Sequence, residues 1–566
     1  MATRPANGPG VDVFTELLVF TVRTASAYLL GAGQALLARR VVEWGLRQAP
    51  GSAQLWALRG RILLRVAAAR PGGRGLGGVL ATLEEARTAY ARAEELDPGD
   101  PELWREHALV LQNLAWALAA QQGARPRPDL LEAAAAQYGR VLAAQPRRAE
   151  VLHERAMTHV GMRAALEDKE AQPWLEAALA DLDRSLELRP HAPEACLHRA
   201  EVRGDLATIA HRAGTPSVEV PLRQEALADC ARALRLRPAW PPPLLRQAME
   251  ATALARLGDN PAVHADLAIA GATAVLQAQP RNLAALVARA DARVVAACRL
   301  AQQGDARGAL VWRQALADLD SAIDTAGWRG REDVLALRGE ARGEWAEALE
   351  RAGDVSGALQ AWGEALADLE RAVDDDPASA RRLLGRARAL GGLARLQDGE
   401  ATAQARRLRA VEDCSQVLAA RPDHPAALLA RALARCGPQS PAEDGRAALA
   451  DAERVLALHP GHTGALATRR RALVALALAL PAGEERTAAL NEATAACALA
   501  LASDAQDAAA HYDQARLLFL SGRVAAAYAA LEQAVHLAPG TRQLARRDPV
   551  WTPVVDGAGF RRLVGG

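Results

Sequence analysis

Residues 98–146 read PGDPELWREHALVLQNLAWALAAQQGARPRPDLLEAAAAQYGRVLAAQP, and this stretch decides the fold. Leu103, Trp104, Leu109, Leu111, Leu114, Trp116 and Leu118 form an apolar pattern in which Leu111, Leu114 and Leu118 step by three and four, that of an amphipathic helix. Gly123-Ala124-Arg125-Pro126-Arg127-Pro128 breaks it. A second helix then runs from Asp129, read as an N-cap, to about Gln145, and Pro146 stops it. Two helices joined this tightly make an antiparallel hairpin.

The same phrasing extends along the whole chain. Pro50, Pro98, Pro146, Pro190, Pro238, Pro280, Pro377, Pro422, Pro460 and Pro539 each carry an alanine twelve residues upstream: Ala38, Ala86, Ala134, Ala178, Ala226, Ala268, Ala365, Ala410, Ala448 and Ala527. Ten residues after nine of these prolines stands a second slot, with Gly60, Ala108, Ala156, Ala200, Ala248, Ala290, Ala387 and Ala432, and Arg470 as the exception. One supersecondary unit is therefore repeated from end to end. Small slots are expected where helix axes approach closely. Four residues after the alanines, on the same helix face, come larger apolar residues that fill the remaining space: Tyr90, Tyr138, Leu182, Cys230, Leu369, Cys414 and Leu531.

The last unit, residues 510–539, resembles a tetratricopeptide repeat through His511-Tyr512, Gln514-Ala515, Leu518, Ala527, Leu531, Ala534 and Pro539. The resemblance covers roughly residues 12–539 and implies an all-α, right-handed superhelical α-solenoid of about twelve hairpins, of bacterial type. Two units, near Ala326–Gly327 and near Ser503, lack the closing proline. Most units are longer than the family's usual 34 residues. The extra residues fall between the small slot and the next proline and keep the apolar pattern, which predicts lengthened helices with short tips, the first reaching about 30 Å. Residues 1–10 are expected to form a disordered arm, 11–539 the solenoid with a hydrophobic first helix over about 11–32, and 540–566 a cap in which Trp551 and Phe560 cover the last hairpin.

Composition narrows the function. Sixty-eight basic residues against 67 acidic ones argue against nucleic acid as a partner. Lys169 is the only lysine, and its neighbours Glu167, Asp168 and Glu170 fit no phosphate-binding loop. Six cysteines occur singly, which suits a reducing compartment. No stretch of transmembrane length is free of charge and no cleavage pattern follows the apolar N-terminus, so the expectation is a soluble, cytoplasmic protein without a membrane partner.

Catalytic chemistry is looked for and not found. His153-Glu154 lacks the second histidine of a zinc helix. His459 and His462 flank a turn. Asp181/Asp183 and Asp318/Asp320, two apart on helices, face different directions and form no acid–base dyad. The glycine-rich run over residues 72–78 reads as a hairpin tip. The expectation is no enzyme, no cofactor and no metal.

Two charge patterns remain. An arginine precedes the small slot in eight units (Arg59, Arg155, Arg199, Arg289, Arg338, Arg386, Arg431, Arg469), and an aspartate recurs before unit ends (Asp181, Asp229, Asp318, Asp368, Asp413, Asp451). This predicts a ladder in which the aspartate of one hairpin clamps the arginine of the next, as Asp181 with Arg199. In tetratricopeptide superhelices the first helix of each hairpin lines a concave surface that receives peptides or proteins. The resemblance places Arg61, Leu109, Met157, Glu201, Met249, Asp291, Glu340, Arg388, Leu433, Arg471, Tyr512 and Arg516 on that groove, a field that is basic, then acidic, then basic again. The favoured function is a non-catalytic scaffold or adaptor for a protein or peptide. The alternatives are a self-assembling structural repeat, favoured by the apolar first helix, or a regulatory partner of a separate signalling enzyme.

Overall fold

The computed structural model describes residues 9–68, 76–122, 125–396, 399–437 and 440–565. The expected N-terminal arm, the glycine-rich tip over 72–75 and the tip residues Gly123 and Ala124 lie outside the described residues or at their margin. Every regular element described is helical. The chain divides into two compact units: residues 1–209 with 235–238, and residues 210–234 with 239–566.

The first unit holds α1 (Pro9–Gly31) and α2 (Ala35–Gln48), α3 (Ala53–Ala68) and α4 (Leu76–Leu96), α5 (Pro101–Gln122) and α6 (Pro128–Ala144), and α7 (Ala149–Ala165) and α8 (Asp168–Leu188). Next in the chain, α9 (Pro193–Arg212) and α10 (Pro216–Leu236) fall at the division. The second unit continues with α11 (Pro241–Arg256) and α12 (Pro261–Ala278), α13 (Leu283–Gln302) and α14 (Arg307–Thr325), α15 (Gly327–Ala352) and α16 (Val355–Asp375), and α17 (Ala380–Leu396) and α18 (Glu400–Ala420). It ends with α19 (Pro425–Arg435) and α20 (Ala442–Leu458), α21 (Thr463–Ala479) and α22 (Glu484–Ser503), and α23 (Ala508–Leu520) and α24 (Val524–Leu537). After α24 come α25 (Thr541–Arg547), a 3₁₀ turn (Pro549–Val554) and α26 (Ala558–Val564). Within each unit the helix pairs are the hairpins of a helical-repeat solenoid. At Ala326, where the closing proline is missing, a single residue caps α14 and opens α15. Asp129 lies in the first turn of α6 and pairs with Arg127, the true N-cap, instead of capping the helix itself.

The small slots lie at the crossings. All ten recurring alanines are fully buried, as are Tyr90, Tyr138, Leu182, Cys230 and Leu531 four residues on. A Cβ on Gly60 would overlap the ring of Tyr90, and one on Gly392 would overlap the indole of Trp362, so only glycine lets α3 meet α4 and α17 meet α16 at these separations. Arg470, the exception, is buried too, and its guanidinium lies 2.9 Å from Asp507 and 3.3 Å from Asp513. The extra residues lengthen the helices: α5 has 22 residues and α15 has 26, against 13 and 14 in α23 and α24. The α15–α16 tip closes on Gly353 at φ 87°, with Asp354 N–H donating to the Leu349 carbonyl at 2.9 Å and the Asp354 carboxylate capping α16.

The arginine–aspartate ladder exists, but its pairing differs from the expected one. Five of the six aspartates take the arginine of their own hairpin: Arg155–Asp181, Arg289–Asp318, Arg386–Asp413 and Arg431–Asp451 at 2.6 Å, and Arg338–Asp368 at 2.8 Å. The side chains are long enough to cross one helix gap within the hairpin, and that is where the aspartate points. All five aspartates are gripped bidentately through Nε and an Nη, and in three of them an arginine four residues on adds a further bond: Arg293 to Asp318, Arg342 to Asp368 and Arg435 to Asp451. The link to the preceding hairpin falls two residues after its aspartate: Arg199 reaches Asp183 and Arg338 reaches Asp320, both at 2.6 Å.

In the second unit three contacts join segments far apart in sequence. Gly540 N–H donates to the Arg351 carbonyl at 3.2 Å, and a Cβ on Gly540 would overlap the Glu350 carbonyl. The Arg547 guanidinium donates to the Leu396 carbonyl. Gly214, at φ 65°, lies so close to His462 that a Cβ there would overlap its ring. Lengthened hairpin tips thus touch the turns and cap of later hairpins in this unit.

Candidate protein-binding face

The odd helices from α3 to α21 turn the slot residue inward, and the next residue is exposed or partly exposed. Arg61, Leu109, Met249, Arg388, Leu433 and Arg471 are exposed at this register, and Met157, Glu201, Asp291 and Glu340 are partly covered. Two residues depart from the expected groove. Tyr512 is buried, its hydroxyl donating to Asp548 at 2.8 Å and accepting from Trp551 Nε1 at 3.3 Å. Arg516 Nε lies 2.9 Å from the same Asp548 carboxylate. Both hold the C-terminal segment, where Trp551 stacks on Phe560 at 5.6 Å and meets the tilted ring of Phe519 at 5.0 Å, so neither is offered to a partner. Burial pushes the Tyr512 hydroxyl well above its ordinary pKa and keeps it protonated as a donor.

The charges on this face largely answer one another. In the first unit Arg61 grips Glu106 at 2.8 and 2.9 Å, and Arg105 pairs with Glu154. In the second, Arg256 on α11 reaches Asp291 on α13 at 2.5 Å and Glu344 on α15 at 3.2 Å. Glu340 takes Arg381 at 2.6 Å, Glu347 takes Arg388 at 2.9 Å, and Glu350 takes Arg395 at 3.1 Å. Burial opposes the charge on Arg256, but Asp291 and Glu344 outweigh it and raise its pKa. Burial lifts the Glu344 carboxyl, and for Glu347 the same burial is overcome by Arg388, which holds it below the usual range. The acidic middle read from the sequence is therefore compensated in place at Asp291 and Glu340. Of the charged positions in this register, Arg471 is exposed without an ion pair among the described residues. Sequence reading missed Arg256, Glu344, Glu347 and Arg395. Their signal was present, because they stand four or seven residues beyond the outward register and share its stripe.

Apolar side chains are also exposed at or beside this register: Leu109 and Trp116 in the first unit and Met249 and Leu433 in the second are 40 to 56% exposed. Trp116 stands seven residues after Leu109 on α5, beside Gly161 of α7, the helix that carries Met157.

Other chemistry is sparse. No cluster of three or more histidine, cysteine, aspartate or glutamate side chains suited to a metal is present among the described residues. Burial pushes the thiols of Cys298, Cys414, Cys436 and Cys497 up to about 12, which makes them poor nucleophiles. His153 Nε2 on α7 lies 2.6 Å from His198 Nδ1 on α9. Burial, then the neighbouring His153, lowers His198 to about 4, and burial lowers His153 as well.

No protein-family profile matches the chain, and no curated protein is significantly similar in sequence. Among solved structures, the chain is similar to a tetratricopeptide repeat protein from Parabacteroides merdae, at 15% identity over 58% of this chain and 98% of that one, with a TM-score of 0.36. It is also similar to the thermophilic tetratricopeptide protein TTC0263 of Thermus thermophilus, at 21% identity over 41% of this chain and 98% of that one, with a TM-score of 0.27. A third is the P58(IPK) tetratricopeptide domain, at 16% identity over 81% of this chain and 98% of that one, with a TM-score of 0.24.

Proposed function

We propose that the chain is a non-catalytic scaffold that holds an extended segment of another protein along the outward register of α5 and α7 in the first unit. The observation that supports this is the combination of self-paired charge with uncovered apolar side chains on one face of α5 and α7. A solvated surface gains nothing from exposing Leu109 and Trp116, whereas an incoming peptide gains by covering them together with the half-covered Met157. Since Arg61, Asp291, Glu340 and Arg388 are already satisfied, the recognised segment carries apolar anchors, with its polar backbone meeting the paired charges around them.

The test is capture of proteins from the native cytosol on the immobilised full chain, followed by titration of the recovered partner. Leu109→Asp combined with Met157→Asp is expected to weaken that partner at least tenfold while the helical circular dichroism stays unchanged. Undiminished binding by the double variant removes this face from the proposal. Reversing Asp291 and Glu340 is expected to act through the loss of their arginine pairs and to lower the melting temperature as well.

A further inference from the structure

The described residues concentrate their exposed aromatic side chains on the first hairpin. Phe14, Phe20 and Tyr28 on α1 are 62, 58 and 78% exposed, and Trp44 on α2 is 47% exposed. The chain has only four phenylalanines, and two stand here. The opposite face of α1 is used normally: Leu18, Val19, Val22 and Ser26 are buried against α2 and α3. Such a patch calls for a covering partner.

The outer face of α1 has an order of its own. Val13, Leu17, Phe20, Thr24 and Ala27 follow one another at steps of four, three, four and three, the seam of a coiled coil, and all five are exposed. Phe14, Thr21 and Tyr28 flank this seam on one side, and Glu16 and Arg23 flank it on the other, again all exposed. In a parallel pair of such helices, Glu16 and Arg23 would face Thr21 and Tyr28 across the seam, and the charges would find no partner. In an antiparallel pair like flanks meet. With Leu17 set against Phe20 of the other helix, Glu16 falls beside Arg23 of the second copy, and two-fold symmetry makes the pair twice. Val13, Phe14, Leu17, Phe20 and Tyr28 leave roughly 600 Å² of apolar side chain in solvent, near the ~800 Å² per partner that a stable interface covers.

We propose that α1 is the seam of an antiparallel, two-fold symmetric homodimer, registered by reciprocal Glu16–Arg23 pairs between copies. The same stretch, Val13–Gly31, is also long and apolar enough to cross a membrane by length and composition, with a mean hydropathy of 1.4. Glu16 and Arg23 decide between the two occupants: a second copy pairs both charges, whereas hydrocarbon would leave both on the lipid-facing side. The dimer does not depend on the peptide-binding face, which lies on α5 and α7.

Sedimentation velocity on the full chain over a range of micromolar concentrations tests it. The wild type is expected to be a dimer, and Phe20→Glu a monomer with unchanged helical content. Glu16→Arg alone and Arg23→Glu alone are each expected to raise the dimer dissociation constant about tenfold or more. The double reversal Glu16→Arg/Arg23→Glu restores the pairs with their signs exchanged and is expected to recover most of the affinity. A wild-type chain that stays monomeric overturns the proposal. So does a dimer indifferent to Phe20→Glu, or single reversals that the double variant does not rescue. Flotation of a monomeric chain with phosphatidylcholine–phosphatidylglycerol vesicles, lost in Phe20→Glu, also overturns it and assigns the face to lipid.

Discussion

The His153–His198 contact shows how one pair of residues can tune stability across the repeat. At 2.6 Å one ring nitrogen must donate and the other accept, so the pair tolerates no second proton. His198 titrates near 4 in the folded chain, below the 6.5 of an exposed histidine. Between those values the unfolded chain binds more protons than the folded one, so stability rises with pH through that window and falls as the solution is acidified. Acidification from pH 7 to pH 4 is expected to weaken the first unit by an amount on the order of 1–3 kcal/mol, and His198→Gln is expected to flatten the dependence, as read by thermal melts across pH. The arginine–aspartate ladder is the counterpart at this scale of what sequence could and could not reveal. The recurrence of Asp181, Asp318, Asp368, Asp413 and Asp451 marked the participants, but linear order could not say which of two flanking arginines each would take. Side-chain reach across the nearer helix gap settled it in favour of Arg155, Arg289, Arg338, Arg386 and Arg431.

At the scale of the helix, the invariant small residues carry the architecture. Gly60 has no room for a methyl group because the Tyr90 ring occupies the space. Gly60→Ala is expected to cost about 1–3 kcal/mol by forcing α3 and α4 apart, and adding Tyr90→Leu is expected to recover part of it, a coupling that urea denaturation of the single and double variants can measure. Helices were the most legible layer of the sequence, since Ala86, Ala134 and Ala178 sit where their periodicity says two axes cross and all are fully buried. Helix lengthening was legible too, in the continued apolar pattern through Trp116 and Leu118. The outward face was read less completely. A residue one step past the slot points to solvent, but whether it is free depends on residues from a neighbouring hairpin. Asp291 was visible as a charge, while its capture by Arg256, 35 residues upstream, was not. Tyr512 and Arg516 were misplaced for a related reason: the segment after Pro539 folds back and covers them, and no local pattern in α23 announces that.

Across the second unit, contacts at long sequence range add a constraint that no single hairpin contains. Gly540 is helical in its backbone angles, so its lack of a side chain matters for space and not for conformation. Gly540→Ala is expected to separate its amide from the Arg351 carbonyl and to speed hydrogen exchange over residues 349–355 and 539–545, while α3 to α8 keep their protection. Equal exchange in both proteins would show that the contact carries no stability.

A ribbon of helix pairs held only by its neighbours yields to tension like a zipper, one pair after another from whichever end is pulled. The bonds from Gly540 and Arg547 to hairpins more than 150 residues earlier change that response in the second unit. Load applied at its C-terminus passes through these stitches to α15 and α17 before α24 can peel away. An optical-tweezers trace would accordingly begin with a single stiff rupture, followed by the small, evenly spaced steps of a repeat array, and Gly540→Ala would lower that first peak.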